Sequence, residues 1–202
     1  MTSAGQGTTK TILENAYLEG PAQGNFEWIY FYAALFNKEK DAKKAVKDAS
    51  KRYDCTEANA KFTFASPVKP TAIWAYYSNY PGYEGWFSAT CSPKSNYQCE
   101  YAKSCNIDLK TTSSFMTDSQ FVAFAKDADI FIYSSNNWDT FYTPGRKKAV
   151  LDQLKSVQNK KVFDTERSGP KVWFEQRNAE YGKLLHLLIL LCCSNDCSRR
   201  CA

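Results

Sequence analysis

The sequence predicts an α/β protein, a three-layer sandwich with a mainly parallel sheet that is preceded by one long helix. Strand-like runs at 71–78, 129–135 and 160–166 alternate with segments that have helical spacing. The run at 129–135 is apolar almost throughout, as expected of a strand buried on both faces of a parallel sheet. A continuous helical pattern without strands comes before all of them, over residues 25–53.

The predicted long helix has apolar residues at spacings of three, four and seven, including Trp28, Leu35 and Val46. Asn25 is its expected N-cap and Pro21 precedes it. The first half is aromatic, whereas the second half is charged and carries a thin Ala/Val stripe. A helix with two such halves can pack against two different structural units at once.

Shorter elements follow this helix. We expect strands at 86–90 and 107–109, and helices at 97–105, 119–128, 145–157 and 172–185. Asp118 or Ser119 is the expected cap of the second of these helices, and Pro144 suits the first turn of the third. The segments 79–85, 111–114 and 135–146 have loop compositions.

Composition excludes several classes of function. The net charge is +5 over 202 residues, and because basic and acidic residues are interspersed, nucleic-acid binding is not predicted. The apolar run at 184–191 is shorter than the roughly 20 residues of a membrane span. Residues 1–10 lack the apolar core of a signal peptide.

The cysteines favour an oxidising compartment. Cys55, Cys91, Cys99 and Cys105 allow two disulfides in three connectivities, which the sequence leaves open. Four more lie in the last eleven residues, where zinc binding is the minor alternative because no histidine stands at zinc-finger spacing: Cys192, Cys193, Cys197 and Cys201.

The sequence offers no catalytic machinery. It has no Gly-rich phosphate loop, no nucleophile elbow and no clustered metal ligands. The only histidine, His186, is flanked by leucines and is expected to pack rather than catalyse. We therefore predict that the protein is not an enzyme and holds neither a cofactor nor a metal of its own.

A ligand-binding edge is predicted instead, because ligands of parallel sheets bind outside the carboxyl ends of the strands. The loops there supply aromatic rings, hydroxyls, amides and one guanidinium. For some of these side chains the alternative to ligand binding is a purely structural role, as a core residue, a loop anchor, a helix cap or a solvated charge. The candidate residues are Tyr80, Tyr83, Trp86, Ser113, Ser134, Asn136, Asn137, Trp138 and Arg167.

Three segments, in this order, resemble the substrate-binding proteins of iron-siderophore and vitamin B12 uptake, the type III periplasmic-binding-protein-like family. EWIYFYAALFNKEKDA (27–42) resembles the helix that joins the two lobes of that family, and DSQFVAFAKDADIFIY (118–133) resembles its helix–corner–strand unit. KVFDTERSGPKVWFEQRNAEY (161–181) resembles its last strand and following helix. The cysteine and tyrosine content, with the insert at 79–96, resembles divergent eukaryotic members.

The resemblance implies four segments: an N-terminal remnant at 1–22, the interlobe helix at 23–54, the C-terminal lobe at 68–182 and an atypical Leu/Cys-rich tail at 183–202. It implies capture of a metal chelate, either iron-siderophore or cobalamin-like, in partnership with a membrane transporter or receptor, and an extracellular or membrane-associated location. Only about 24 residues precede the long helix, so we expect half of the usual cleft to be absent from this chain. The alternative is an interaction module or a truncated product that pairs through the aromatic face of 25–53.

Overall fold

The computed structural model describes residues 19, 21–63, 68–91, 97–135 and 137–164. The helices, in chain order, are α1 (Ala22–Glu27), α2 (Ile29–Leu35), α3 (Glu39–Thr63), α4 (Tyr97–Ser104), α5 (Asp118–Ala125), α6 (Trp138–Phe141), α7 (Lys148–Leu151) and α8 (Lys155–Gln158). The strands are β1 (Thr71–Ser78), β2 (Gly85–Ser88), β3 (Asp108–Lys110), β4 (Ile130–Tyr133) and β5 (Val162–Asp164). Strands and helices alternate from β1 onward, as the sequence predicts.

The sheet is mainly parallel, which confirms the predicted class. β1 pairs in parallel with β3 and β4, and β4 pairs in parallel with β5. Among the strands of the described residues, β2 alone is antiparallel; it lies beside the second half of β1, whereas β3 lies beside the first half. β4 is buried along its whole length, as expected of a central parallel strand.

Two apolar clusters place helices on both faces of the sheet, so the predicted three layers are also confirmed. On one face, Trp74 of β1 packs with Ala49 of α3 and Tyr101 of α4. On the other face, Phe131 of β4 packs with residues of α5, α6 and α7, among them Phe121, Phe141 and Leu151. Alternate residues of the same strands supply the two clusters, because successive side chains of a strand point to opposite faces.

The prediction of one continuous helix over 25–53 is wrong. The chain forms α1, α2 and α3, and the longest of these runs on to Thr63. Asn37 takes a positive φ of 53°, and the backbone N–H groups of Phe36 and Lys38 both turn back to the carbonyl oxygen of Ala33. A left-handed residue after a helix is a common C-terminal cap, and asparagine tolerates it better than most residues.

Smaller differences from the predicted elements also have local causes. Thr117 caps α5, rather than Asp118 or Ser119, and forms a capping box with Gln120. The helix expected at 145–157 is split into α7 and α8 because Leu154 has an extended backbone. The segment expected as a loop at 135–146 contains the single turn of α6. The helix predicted at 172–185 lies outside the described residues.

One disulfide joins Cys91, just after β2, to Cys99 in α4. Cys55 is also disulfide-bonded, whereas Cys105 is a buried thiol. Two disulfides within this group of four cysteines are therefore excluded. The prediction of a disulfide-containing protein is nevertheless confirmed.

Polar contacts join neighbouring elements on both sides of the sheet. The Tyr53 hydroxyl of α3 lies 2.9 Å from Ser104 Oγ of α4, and that serine donates to Glu57 at 3.0 Å. Burial raises the pKa of Tyr53 to about 12. On the other side, Asp129 accepts from the backbone N–H of Thr71 at 2.8 Å and from Lys155 at 2.7 Å. These contacts fix α3 against α4 and the start of β4 against β1.

Candidate functional site

The carboxyl edge of the sheet has an uneven outline. In the parallel register Ala75 of β1 lies opposite Tyr133, where β4 ends, so β1 continues three residues further to Ser78. Past this point β1 is paired only with β2, and the two strands form a hairpin that projects beyond the sheet. A second wall comes from the segment after α6, at 142–147. An open cleft therefore lies between the hairpin and this segment.

The cleft has a volume of about 450 Å³ and is lined by Tyr77, Asn79, Phe141, Gly145, Arg146 and Lys147. The ring of Tyr77 lines the cleft, and the ring of Phe141, whose centroid is 5.4 Å from that of Tyr77, is itself buried. Gly145 has a φ of +81°, which permits the chain reversal that presents the two following cations. The cleft thus combines one aromatic ring with two cationic side chains.

Lys147 occupies a fixed position in this cleft. Its ammonium lies 4.1 Å from the centre of the Tyr77 ring and donates to both carboxylate oxygens of Asp118, at 2.7 and 2.6 Å. Partial burial, the largest influence, lowers the pKa of Lys147, but the hydrogen bonds with Asp118 and Tyr77 outweigh it and the net pKa is raised. The lysine therefore stays protonated.

Asp118 connects the cleft to the core. It lies in the first turn of α5, where the helix dipole favours a carboxylate. Besides the lysine, the indole Nε1 of Trp86 donates to it at 2.9 Å. Asp118 therefore compensates the charge of Lys147 and satisfies the buried polar atom of Trp86 at once.

Sequence reasoning missed most of the residues that line the cleft. Tyr77 was placed only within a strand, and Lys147 within a predicted helix. The available indication was the pair Pro144–Gly145 before Arg146, which predicts a turn that exposes a cation. The contact of Lys147 with Asp118, 29 residues away, has no counterpart in any local pattern.

The predicted aromatic residues fall into two groups. Tyr80 and Tyr83 are 70% and 64% exposed on the turn of the hairpin, with ring centres 6.2 Å apart. Trp86, by contrast, is fully buried and stacks on Phe121 at 3.9 Å, so its proposed role as a ligand wall is wrong. It follows Gly85 into the sheet and points to the face covered by α5.

Trp138 and Asn137 lie at the same edge but are engaged by the fold. The Tyr133 hydroxyl donates to Asn137 Oδ1 at 2.8 Å, and Trp138 stacks on Tyr142 with centroids 5.1 Å apart. Trp138 is only partly buried, so one part of it still faces solvent. Both residues anchor the segment that leads into α6, which was the structural alternative for Trp138.

The remaining candidates are dispersed. Ser134 directly follows β4 and is half-buried, with its backbone N–H bound to the carbonyl oxygen of Ala75. Ser113 is exposed in the turn after β3. Asn136, Arg167, His186 and the four tail cysteines lie outside the described residues. The structure thus brings Tyr80, Tyr83, Ser134 and Trp138 to one edge of the sheet.

In the described residues, no group of three or more His, Cys, Asp or Glu side chains is arranged to hold a metal ion. Within the same residues, no helix combines the length and apolar character needed to cross a membrane.

The sequence matches no protein-family model. It is 30% identical over 159 residues to an uncharacterized lipoprotein of Methanocaldococcus jannaschii, covering 75% of this chain and 36% of that protein. Among solved structures, IsdE of S. aureus complexed with haem superposes with a TM-score of 0.60 at 16% identity, covering 86% of this chain and 65% of that one. The periplasmic vitamin B12 binding protein BtuF of Vibrio cholerae gives 0.58 at 14% identity, covering 85% and 61%.

The fold is therefore that of the type III periplasmic binding proteins. The chain spans about a third of the archaeal lipoprotein and less than two thirds of the two solved structures. These three proteins are archaeal or bacterial, so the resemblance to eukaryotic members gains no support. Of the two solved neighbours, one is complexed with haem and the other binds vitamin B12.

Proposed function

We propose that this chain is a ligand-binding lobe that captures a small molecule, a metal chelate of the iron-siderophore, haem or cobalamin type, for uptake through a membrane transporter. The observation that carries the proposal is the open cleft, lined by Tyr77 and two basic residues, at the carboxyl edge of a parallel sheet, the place where such sheets bind ligands. Haem and vitamin B12 are what the two solved neighbours bind. The periplasmic location of BtuF and the disulfide between Cys91 and Cys99 support an extracellular or periplasmic location of this chain.

The proposed mechanism is enclosure of the ligand by two surfaces, of which this lobe supplies one. The cleft is open to solvent, and a single wall leaves much of a ligand exposed. Small-molecule sites commonly bury most of the ligand surface, so a second wall has to close over it. Tyr80 and Tyr83, on the projecting hairpin, are placed to contact a large planar ligand that extends beyond the cleft.

Isothermal titration of the purified chain against ferric siderophores, haem and cobalamin tests this proposal. We expect saturable binding of one ligand class at micromolar concentration. The double variant Tyr80→Ser/Tyr83→Ser is expected to weaken it about 30-fold, since each of the two aromatic contacts contributes about 1 kcal/mol. Tyr30→Ser on α2 is the matched control for loss of an exposed tyrosine. Absence of binding to every ligand, by protein shown to be folded by circular dichroism, would refute the proposal for this chain.

A specific observation favours a second candidate, an interaction module. The described part of α2 and the residue after it expose a run of apolar side chains: Tyr30 at 40%, Tyr32 at 44%, Leu35 at 50% and Phe36 at 71%. Grouped exposed apolar residues often mark a protein interface. In this reading the face pairs with a second copy of the chain or with another protein.

Light scattering coupled to size exclusion distinguishes the two candidates. If the aromatic face joins two copies, the native chain elutes as a dimer and Phe36→Ser converts it to a monomer. Val68→Ser, at a position that is 78% exposed outside this face, serves as the control and leaves the mass unchanged. A native monomer at all accessible concentrations counts against self-pairing.

A further inference from the structure

The partner of Cys55 is not among the other cysteines that the structure describes. Cys91 and Cys99 are bonded to each other, and Cys105 is a thiol. Cys55, in α3, is nevertheless disulfide-bonded. Within a single chain of eight cysteines, this leaves four as sources of the second sulfur, all in the C-terminal tail: Cys192, Cys193, Cys197 and Cys201.

Cys55 lies on the side of α3 that faces away from the sheet. Tyr53 packs against the apolar cluster between α3 and the sheet, and two residues along an α-helix turn the side chain through about 200°. Lys51 and Asp54, the neighbours of Cys55 on this outer side, are exposed, whereas Cys55 itself is half-buried. A bond from Cys55 is therefore directed to a segment that lies over the outer surface of α3.

The end of β5 is close enough to α3 for the tail to make such a bond. Phe163 of β5 packs against the same apolar cluster as Tyr53. The 27 residues between Asp164 and Cys192 extend about 40 Å if they are helical, and further if they are extended. This length is several times the thickness of a helix, which is about 10 Å. The tail can therefore pass around α3 and reach its outer side.

We propose that the C-terminal segment is a strap, fastened to the outer side of α3 by a disulfide between Cys55 and one of the four tail cysteines. The bond brings the apolar run at 184–191, which directly precedes Cys192, to a helical layer on which it can pack. The strap holds α3 between itself and the sheet. Because the bond uses one tail cysteine, it also rules out a zinc site of four tail thiolates.

Formation of this bond is a two-electron oxidation. The two thiols lose two protons and two electrons, and the S–S bond forms between their sulfur atoms. A small disulfide such as oxidised glutathione accepts the electrons by thiol–disulfide exchange and leaves as two thiols. The strap therefore forms in the same kind of oxidising compartment as the bond between Cys91 and Cys99.

Disulfide mapping of the full chain, exported to an oxidising compartment, tests the proposal. Thiols are alkylated without reduction, and the chain is then digested with trypsin and analysed by mass spectrometry. Trypsin leaves Cys55 in the peptide 53–61, and the tail cysteines in 184–199 and 201–202. We expect 53–61 to be joined to one of these two tail peptides in a chain that is monomeric without reductant.

The other cysteines provide the internal reference, because each lies on a separate tryptic peptide. The peptides 62–94 and 95–103 should be joined through Cys91 and Cys99, and 104–110 should carry an alkylated Cys105. Recovery of 53–61 as an alkylated thiol, or joined to 104–110, would overturn the proposal. A doubled mass that disappears on reduction, with 53–61 joined to another chain, would do the same.

Hydrogen exchange measures whether the strap holds α3. Cys55→Ser is expected to raise the exchange rates of the backbone amides from Lys51 to Thr56 by about threefold or more, because the outer side of the helix is released. A chain that ends at Lys183 should show the same increase, and adding Cys55→Ser to it should change nothing further.

Asp54→Ser is the matched control, because it alters an exposed side chain next to Cys55 without removing a sulfur atom. It is expected to change these exchange rates less than about twofold. Unchanged rates in Cys55→Ser, or an increase no larger than that in Asp54→Ser, would contradict the strap. None of these outcomes depends on which ligand the lobe binds.

Discussion

Replacing Trp86 by alanine is expected to lower the free energy of unfolding by about 3–5 kcal/mol, the range for removing a large aromatic side chain from a packed core. The indole is fully buried and lies against Phe121 at 3.9 Å and Phe141 at 5.5 Å between ring centres. Its loss leaves a cavity, because the sheet on one side and α5 on the other cannot both move into the space. Urea unfolding followed by far-UV circular dichroism measures the change.

Two further variants separate packing from hydrogen bonding at this position. Trp86→Phe keeps a stacked ring but removes the donor to Asp118, so a smaller loss of about 1–2 kcal/mol is expected. Tyr80→Ala, at a 70% exposed position of the same hairpin, is expected to change stability by less than about 0.5 kcal/mol. A loss in Trp86→Ala as small as that of Tyr80→Ala would show that Trp86 is not a core residue.

Gly85→Ala is expected to destabilise the protein by about 3 kcal/mol, through a backbone conformation that alanine rarely adopts and through direct overlap. The residue has a φ of +155°, and a Cβ placed there would lie 2.4 Å from the Phe115 ring and 2.7 Å from the carbonyl oxygen of Met116. The ring has room to rotate away, but the carbonyl belongs to the bridge between Trp86 and Met116. Relief of the overlap therefore requires that bridge to shift.

Gly82→Ala provides the control for this substitution. Gly82 also has a positive φ, +83°, but a Cβ there meets nothing within 4 Å. Its expected cost is about 1 kcal/mol, from the backbone conformation alone. Equal losses in thermal or urea unfolding for the two variants would mean that the close approach of Phe115 and Met116 contributes nothing.

The predicted strands agree with the structure where a single local pattern dominates. β1 has the same bounds that the apolar run at 71–78 predicts, and β4 is the buried parallel strand expected within 129–135. α5 lies where helical spacing predicts a helix, and β5 lies within the strand predicted at 160–166. Apolar periodicity determines these elements because burial of one face dominates their stability.

The long helix predicted near the N-terminus shows where apolar periodicity fails as a predictor. Apolar spacing continues through Phe36, but the helix ends at Leu35 because Asn37 takes a left-handed conformation. The spacing of apolar residues does not reveal this end of the helix. The three residues between α2 and α3 amount to nearly one helical turn, so the apolar side chains keep about the same spacing before and after the break. The interlobe role of this region stays a prediction, as do the boundaries of the four segments.

For the candidate site, too, one part of the sequence-based prediction agrees with the structure and another part does not. Sequence reasoning placed the ligand edge at the carboxyl ends of the strands and chose aromatic and polar residues from every loop there. It had no means of distinguishing Trp86, which points into the core, from Tyr83, which points to solvent. A shift of one residue along a strand reverses the side-chain direction, and the exact start of β2 after Gly85 decides it.

The order of apolar and polar residues along the chain is sufficient to predict the α/β class, the mainly parallel sheet and the edge at which a ligand is expected. The packing of the layers, by contrast, brings Asp118 to Lys147 and places the Lys147 ammonium over the Tyr77 ring. Those contacts join the end of β1, the first turn of α5 and the segment before α7. Their geometry follows from how the layers pack, since no local pattern relates side chains so far apart along the chain.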